Sequence, residues 1–326
     1  MTDKQMKIHL LILIFALFCL DGYAQRDTLS FLHITDSHMM FNLENYNKDI
    51  VLHREYTKDF KEGNNRFRQF METTPLQTGA DMIIVTGDMI DFYDAETAGG
   101  DALAYQIEQF ARFLGQFDYP LYMTLGNHDL FSLNWNEGRV IPNQLKTEAA
   151  KAAWIRNFDC FRDATYYSRI YQIGGTTYRL IFLDNAYVKF KKNEKVVIPY
   201  MDKPQLHWLK AELNASQEDV EIILMHVPFT EQSALPESNN ELYAALTSVP
   251  SVRFILAGHY HKGTVMEFPV SGDNKITQVG TDALVAGSEN WRLIRLTEEE
   301  IQVSLIGREE DEVTISSNIN DYDTRN

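Results

Sequence analysis

Residues 82–91 read MIIVTGDMID, an apolar run that ends abruptly at Gly87, Asp88 and Asp91. Five consecutive apolar or β-branched side chains predict a short strand that is buried on both faces of a sheet. The pair Gly87-Asp88 then supplies a turn residue followed by a carboxylate. This stretch therefore predicts an α/β protein in which a carboxylate directly follows a central strand.

Four further apolar runs end in the same way. They lead into Asp36-Ser37-His38, Gly126-Asn127-His128-Asp129, Met225-His226 and Gly258-His259-Tyr260-His261. The carboxyl ends of parallel strands meet at one edge of a sheet, and α/β proteins place their sites there. The five strand ends are therefore expected to bring five histidines, several aspartates and one asparagine together.

Helical patterns lie between these runs. Apolar side chains at helical spacing predict helices over Asn65–Thr78, Ala102–Phe117 and Lys203–Leu213. Gly174-Gly175 separates two β-rich runs, Tyr166–Ile173 and Thr177–Leu183, and predicts a hairpin. The last third of the chain is typical of strands with little helix between them. Because the sequence has no internal repeat and no Gly/Ser linker, it predicts a single domain.

The composition is that of a folded, acidic protein. Of 326 residues, 44% are hydrophobic and 23% are charged, which excludes a disordered or low-complexity chain. Aspartate and glutamate outnumber lysine and arginine by 46 to 30, giving a formal charge of −16. Such a charge repels polyanions, so broad nucleic-acid binding is disfavoured unless a local positive centre offsets it.

The first 24 residues have the pattern of a secretory signal. Lys4 and Lys7 precede the apolar run Leu10–Leu20, and Ala24 completes a small-residue cleavage site. The apolar run is too short to span a bilayer, which takes about 20 residues. We therefore expect an exported protein, periplasmic or secreted, whose mature chain begins near Gln25. An uncleaved membrane anchor is the alternative.

Residues 25–307 are predicted to form the folded domain, and residues 308–326 an acidic, loose tail. After cleavage Cys160 is the one remaining cysteine, so no internal disulfide is possible. The aromatic residues around Cys160 in the sequence favour a buried filler over a nucleophile.

The residue types at the strand ends suit transition metals. Imidazole and carboxylate ligands together favour Mn, Fe or Zn, and one carboxylate can bridge two ions about 3.5–4 Å apart. Taken singly, each block also fits an ordinary turn or a buried structural histidine. The joint occurrence of the five blocks, each behind a strand, favours a centre with two metal ions.

In this order the blocks resemble the calcineurin-like metallophosphoesterase superfamily, whose pattern is Asp-x-His, Gly-Asp-x-x-Asp, Gly-Asn-His-Asp/Glu, an isolated His and Gly-His-x-His. The resemblance covers about residues 30–300. It implies a four-layer αββα sandwich of two mixed β-sheets flanked by helices. It also implies that Asp88 bridges two metals, one held by Asp36, His38 and His261 and the other by Asn127, His226 and His259.

The resemblance further implies a reaction on a small-molecule phosphate ester, either a monoester or a diester. A hydroxide bridging the two metals would attack phosphorus, while His128 would act as general acid and Asp91 would orient it. Asp129 is expected to support the site rather than to bind metal. A metallohydrolase of a non-phosphate ester or amide bond, and a secreted module that binds metal without catalysis, stay open.

The sequence departs from the motifs of two branches of the superfamily, which narrows the choice of branch. Phosphoprotein phosphatases have Asp-Arg-Gly and a glutamate where this chain has Asp91-Phe92-Tyr93 and Asp129. His38 and Asp91 both differ from the purple acid phosphatase pattern, which has a tyrosine ligand at the second of these positions. The broad group of secreted or cyclic-nucleotide-type phosphoesterases remains.

Candidate substrate contacts follow the motifs along the chain. The apolar ones could equally cover the rim of the core, and the basic ones could be solvated surface charges. They are Met39, Met40, Phe41, Phe92, Tyr93, Phe131, Trp135, Phe229, Tyr260, Arg139 and Lys262. His33 and His207 stand apart from the motifs and are interpreted as structural, while His53 is left unassigned.

Overall fold

The computed structural model describes residues 27–189, 198–215, 219–229, 237–270 and 275–318. The predicted signal, residues 1–24, lies outside this part of the chain. The helices are α1 (Lys48–Leu52), α2 (Gly63–Thr78), α3 (Gln106–Leu114), α4 (Thr147–Asn157), α5 (Lys203–Ala215) and α6 (Glu237–Thr247). Among the residues just given, no helix is both long and apolar enough to cross a bilayer.

The strands are, in chain order, β1 (Leu29–Ile34), β2 (Met82–Thr86), β3 (Asp94–Glu96), β4 (Ala102–Ala104), β5 (Leu121–Thr124), β6 (Ser132–Asn136), β7 (Arg139–Asn143), β8 (Tyr167–Ile173), β9 (Thr176–Phe182), β10 (Tyr187–Lys189), β11 (Ile198–Tyr200), β12 (Val220–Leu224), β13 (Val252–Ala257), β14 (Thr264–Pro269), β15 (Lys275–Gly280), β16 (Arg292–Leu296), β17 (Glu300–Ser304) and β18 (Asp311–Ser316). The predicted hairpin around Gly174-Gly175 is confirmed as β8 and β9, which pair antiparallel.

Two large mixed sheets form the centre of the fold. Within the described residues, the first sheet has six strands in the order β18-β17-β16-β1-β2-β5, and the second has six in the order β14-β15-β13-β12-β9-β8. Neighbours β1, β2 and β5 run parallel in the first sheet, as do β9, β12, β13 and β15 in the second. Antiparallel strands complete both sheets at their edges.

An apolar core joins the inner faces of the two sheets. Phe31 and Ile84 of the first sheet and Leu180 and Phe254 of the second belong to this core and are fully buried. Burying a side chain of this size stabilises the fold by about 1.5–3 kcal/mol. The apolar strand sequences thus hold the two sheets face to face.

Helices cover the two outer faces. On the first sheet, α2, α3 and α4 pack through Phe67, Phe110 and Trp154. On the second sheet, α5 and α6 pack through Leu209 and Leu246. The predicted four-layer αββα sandwich of two mixed sheets is therefore confirmed.

Parallel pairing brings the predicted strand ends to one edge. Beyond β1 and β2, the backbone N of Asp36 donates to the O of Gly87 at 3.1 Å. In the second sheet, the backbone N of Gly258 donates to the O of His226 at 3.0 Å. The loops that carry the motifs are thus joined to each other directly after their strands.

A small sheet with the strand order β4-β3-β6-β7 follows the motif loops along the chain. It was not predicted from the sequence. Phe92 and Leu133 of this region pack with Met40 and Tyr46 in a separate apolar cluster. The prediction of a helix over Ala102–Phe117 is wrong at its start, because residues 102–104 pair with β3. The side chains of residues 102–104 are largely exposed, so their apolar character does not indicate the buried face of a helix.

The prediction of a loose tail after Gly307 is wrong for Asp311–Ser316, which pairs with β17 as β18. Val313 and Ile315 pack against the core between the sheets. Glu312 forms an ion pair with the buried Arg292. The acidic residues around this strand conceal its alternating pattern. The folded domain therefore extends beyond residue 307, and residues 319–326 lie outside the described part.

Candidate metal centre

The chain adopts an unusual backbone conformation at five predicted ligands. The φ angles of Asp36, His38, Asp88, His259 and His261 are all positive, between 43° and 73°. A non-glycine residue in this left-handed region costs of the order of 1–3 kcal/mol, so it persists only where the surroundings hold it. Such residues cluster at active sites and ligand clamps.

Two motif glycines allow the loops to come this close. A Cβ atom on Gly126 would lie 2.1 Å from Oδ1 of Asp88, and one on Gly258 would lie 1.9 Å from Oγ1 of Thr35. That hydroxyl donates to Oδ2 of Asp36 at 2.7 Å. Any side chain at either glycine would therefore displace a carboxylate of the site or the group that supports it.

The first group of predicted ligands consists of Asp36, His38 and His261. Nε2 of His38 lies 3.0 Å from Nε2 of His261, and Oδ1 of Asp36 lies 3.2 Å from the same nitrogen of His261. Oδ1 is buried without a hydrogen bond, whereas Oδ2 also accepts one from the backbone N of His259. Leaving a buried oxygen unsatisfied is unfavourable, so this group fits a cation.

The second group consists of Asn127, His226 and His259. Oδ1 of Asn127 lies 3.1 Å from Nε2 of His226 and 3.0 Å from Nδ1 of His259, and the two nitrogens are 3.2 Å apart. Nδ1 of His226 donates to the backbone O of Thr86 at 2.8 Å. That bond directs Nε2 of His226 into the group, as metal-binding histidines require.

Asp88 lies between the two groups. Its Oδ2 is 3.2 Å from Nε2 of His226 and 3.7 Å from Nε2 of His38. Its Oδ1 accepts a hydrogen bond from the backbone N of His128 at 2.8 Å. A carboxylate oxygen within reach of both groups has the position of a bridging ligand.

The structure thus brings all seven predicted metal ligands together, namely Asp36, His38, Asp88, Asn127, His226, His259 and His261. Imidazole nitrogens with carboxylate and amide oxygens suit Mn, Fe or Zn. The unsatisfied Asp36 oxygen and the facing imidazole nitrogens fit metal ions.

His128 and Asp91 lie beside the first group. Nδ1 of His128 is 2.8 Å from the backbone O of Asp91 and 3.2 Å from its Oδ1. Because a carbonyl oxygen only accepts, Nδ1 carries a proton. The His128 side chain is 18% exposed, whereas the side chains of Asp36 and His38 are fully buried. A histidine held at one ring nitrogen and reachable from solvent can exchange a proton with a bound molecule.

Asp129 links two motif loops. Its carboxylate accepts hydrogen bonds from the backbone N of Gly126 at 2.7 Å and of Ile90 at 3.1 Å. Burial, together with the nearby Asp88, raises the pKa of Asp129 well above its usual range. These contacts are those of a supporting residue.

Two residues of the site escaped sequence reasoning. Both oxygens of Asp91 accept hydrogen bonds from Arg54, which lies in no motif. Asn185 accepts through Oδ1 from the backbone N of His226 at 3.0 Å and of Val227 at 3.1 Å. Asn185 follows the apolar end of β9, so the strand-end signal that marked the motifs could have found it. No local signal marks Arg54.

The candidate substrate contacts divide by exposure. Met39, Met40, Phe92, Phe131 and Phe229 are buried and belong to the core. Tyr260, in contrast, is 55% exposed, and its ring centre lies 5.2 Å from that of His259. Phe41, Tyr93 and Trp135 are half-buried against apolar clusters. Lys262 lines a cavity of about 690 Å³, and Arg139 is exposed on β7.

The remaining histidines have separate surroundings. His33 is buried between the hydroxyls of Thr281 and Thr86, at 2.7 and 2.9 Å, which agrees with a structural role. Burial lowers the pKa of His33 to about 3, so the ring is neutral. His207 is exposed on α5, and His53 is half-buried.

Metal binding is expected to weaken as the pH falls. Burial opposes a charge on His226, but Asp88 and Asp36 overcome it and raise the pKa of His226 to about 9 in the metal-free site. An ion must therefore displace a proton from this ring at neutral pH. For one displaced proton the apparent affinity should rise about tenfold per pH unit below pH 9 and then level off. Metal titrations of chelator-treated protein at pH 6, 7 and 8 check this, and an affinity independent of pH contradicts it.

Comparisons with known proteins agree with the fold. A dimetal phosphatase from Danio rerio is similar with a TM-score of 0.58 at 14% identity, over 89% of this chain and 99% of that one. A purple acid phosphatase, PPD1 from yellow lupin seeds, is similar with a TM-score of 0.52 at 14% identity, over 90% and 54%. GAP50 of Plasmodium, described as the anchor in the inner membrane complex, is similar with a TM-score of 0.50 at 13% identity, over 89% and 88%.

No curated protein matches the sequence at a significant level. Residues 29–263 do match a protein family described as calcineurin-like phosphoesterase. The αββα sandwich, with its His and Asp groups at the strand ends, defines a metallophosphoesterase, an enzyme that hydrolyses phosphoric esters. The chain belongs to the calcineurin-like phosphoesterase family, which confirms the resemblance inferred from its motifs.

Proposed function

We propose that the protein hydrolyses small phosphate monoesters or diesters with two transition-metal ions. The observation that carries the proposal is the position of Asp88, whose Oδ2 lies 3.2 Å and 3.7 Å from histidine nitrogens of the two ligand groups. His128 is hydrogen-bonded to the same carboxylate through its backbone N. A shared ligand and an adjacent proton donor support chemistry at a single phosphorus atom.

The two ligand groups would each hold one ion. Asp36, His38 and His261 would bind the first and Asn127, His226 and His259 the second, with Asp88 shared. When bound, the ions supply Lewis acidity, which acidifies water and offsets the negative charge of the phosphoryl oxygens. This local positive charge is needed because the chain has a formal charge of −16.

His128 would provide the proton for the leaving oxygen. The carbonyl of Asp91 accepts from Nδ1, so Nε2 would be the nitrogen that serves a bound ester. The Asp91 carboxylate lies 3.2 Å from Nδ1, where it would hold the ring in one orientation. Tyr260 is the exposed aromatic residue beside the ligands that could contact the ester's organic group.

Metal removal and substrate choice test the proposal together. Chelator-treated protein should be inactive on aryl phosphate monoesters and diesters, and Mn, Zn or Fe should restore activity with about two ions bound per chain. Elemental analysis and rate measurements on the same samples report both quantities. Failure of the reconstituted protein to bind metal would refute the proposal.

The same substrate panel separates the two alternatives. Hydrolysis of carboxylic esters or amides alone would favour a metallohydrolase of non-phosphate bonds. Bound metal without hydrolysis of any substrate would favour a binding module. Against the latter, His128 and Asp91 are both retained although neither is needed to hold an ion.

We also propose that the protein is exported, as the pattern of residues 1–24 predicts. This segment lies outside the described residues, so the support comes from the sequence. An intact-mass measurement of protein from its natural source should place the first residue near Gln25. A chain that retains residues 2–20 would contradict export by cleavage.

A further inference from the structure

Arg54 belongs to no sequence motif, yet its side chain ends inside the site. The residue is 4% exposed and lies on a π-helical turn, His53–Thr57, that follows α1. Its Nε donates to Oδ2 of Asp91 and its Nη2 donates to Oδ1, both at 2.6 Å. A two-point contact of this kind fixes the rotation of a carboxylate as well as its position.

The Asp91 carboxylate in turn contacts two histidines. Its Oδ1 lies 3.3 Å from Nδ1 of His38 and 3.2 Å from Nδ1 of His128. On His38, Nδ1 is the nitrogen opposite the one that faces His261. One carboxylate oxygen therefore acts on a predicted metal ligand and on the proposed general acid, and Arg54 determines where that oxygen lies.

His38, Asp91 and His128 are close enough together to hold an ion themselves. Here, however, the guanidinium of Arg54 already binds both oxygens of Asp91, and its Nη2 lies 3.4 Å from Nδ1 of His128. Arg54 thus supplies the positive charge that the other two groups would take from metal ions. His38, Asp91 and His128 are therefore interpreted as a group that orients side chains, whereas the other two groups fit metal ions.

Phe60 packs against the same residues. Its ring stacks on His38 with a centroid distance of 4.0 Å and an angle of 14°, and the guanidinium carbon of Arg54 lies 5.1 Å from the ring centre. The aromatic ring and the carboxylate therefore restrict the guanidinium from different directions. A buried charge held in this way has little freedom to move.

We propose that Arg54 is a positioning residue, which fixes Asp91 so that one carboxylate oxygen orients His38 and His128 together. The kinetic consequences rest on the proposed function. The orientation itself is a property of the folded chain and exists without metal or substrate.

The orientation is tested in metal-free protein by ¹H–¹⁵N spectra of ring-labelled histidine. Arg54→Met should shift the Nδ1–H signals of His38 and His128, because the carboxylate oxygen that lies beside both nitrogens is released, while the backbone O of Asp91 stays with His128. Arg66→Met is the matched control, since Arg66 donates to the backbone O of Val285 and does not contact Asp91. Signals unchanged in Arg54→Met would overturn the proposal. Arg54→Lys keeps the charge but not the two-point contact, so it should shift the same signals and carries the test if Arg54→Met does not fold.

Kinetics of the metal-loaded enzyme give the second test. Arg54→Met should lower kcat by about 10–100-fold, the range usual for partners that orient ligands, with KM changed less than about twofold. The double variant R54M/D91N should be no slower than the slower single variant, because Arg54 acts through Asp91. Losses that multiply would overturn the proposal. If the wild-type enzyme hydrolyses no phosphate ester, the proposed function fails, while the histidine spectra still decide the role of Arg54.

Discussion

Replacing His128 by alanine is expected to slow hydrolysis of an alkyl phosphate ester by roughly 10²–10⁴-fold, the usual worth of a positioned acid. Both metal ions should stay bound. Asp88 accepts its hydrogen bond from the backbone N of His128 at 2.8 Å, and alanine keeps this donor. The ring of His128 is therefore removed without removing support for the bridging carboxylate. Turnover at saturating substrate and elemental analysis check the two halves of the expectation.

The loss should depend on the leaving group. An alkoxide has a high pKa and needs a proton to depart, whereas a nitrophenolate leaves with little help. His128→Ala should therefore be much more damaging for the alkyl ester than for the nitrophenyl ester. His207→Ala is the matched control, because His207 is exposed on α5. An equal loss for both esters, or a loss of metal, would mean that His128 does not act as the acid.

Replacing Asp88 by asparagine is expected to weaken both metal sites and to reduce turnover by at least about 10³-fold. Lewis-acid stabilisation by a metal is worth several kcal/mol, and each 1.36 kcal/mol is a factor of ten in rate. Asparagine has the same shape and can keep the Oδ1 contact with the backbone N of His128. The variant thus removes the negative charge near His226 and His38 and little else.

Metal content distinguishes a bridging carboxylate from an ordinary ligand. Asp88→Asn should lower the occupancy of both ions, whereas His38→Ala should chiefly lower that of one. Asp159→Asn is the matched control, since the Asp159 side chain is 94% exposed and pairs with Arg162 at the surface. Retention of two tightly bound ions in Asp88→Asn would contradict the bridging position.

Much of the fold and of the metal centre was predictable because the informative signals are local. An apolar run such as 82–86 predicts a buried strand. A residue able to bind metal directly after the run indicates the edge of the sheet. Parallel strands carry these residues to one place by their geometry alone. The resemblance of the five blocks to the calcineurin-like family then implied the sandwich, which is confirmed, and the seven ligand side chains that the structure brings together.

Errors arose where backbone pairing with a neighbouring strand outweighs the local character of a segment. Residues 102–104 look helical in their own context but form a strand because β3 offers them a partner. Residues 311–316 look like an acidic tail but form β18 because β17 offers an open edge beside an apolar core. In both cases a neighbouring strand, paired antiparallel with the segment, determined the structure.

Local sequence was thus sufficient for the strands and the ligand types, since each depends on neighbours within a few residues, and the general geometry of parallel sheets predicted their common edge. The tertiary structure alone decided that Arg54 meets Asp91, 37 positions further along the chain, and that Asn185 supports the loop of His226. The physical reason is that the sequence shows where a charged or polar side chain stands along the chain, but not which distant residue it will contact. Whether a buried arginine orients a carboxylate or merely pairs with it depends on what else that carboxylate touches, and only the folded chain brings His38 and His128 to the same oxygen.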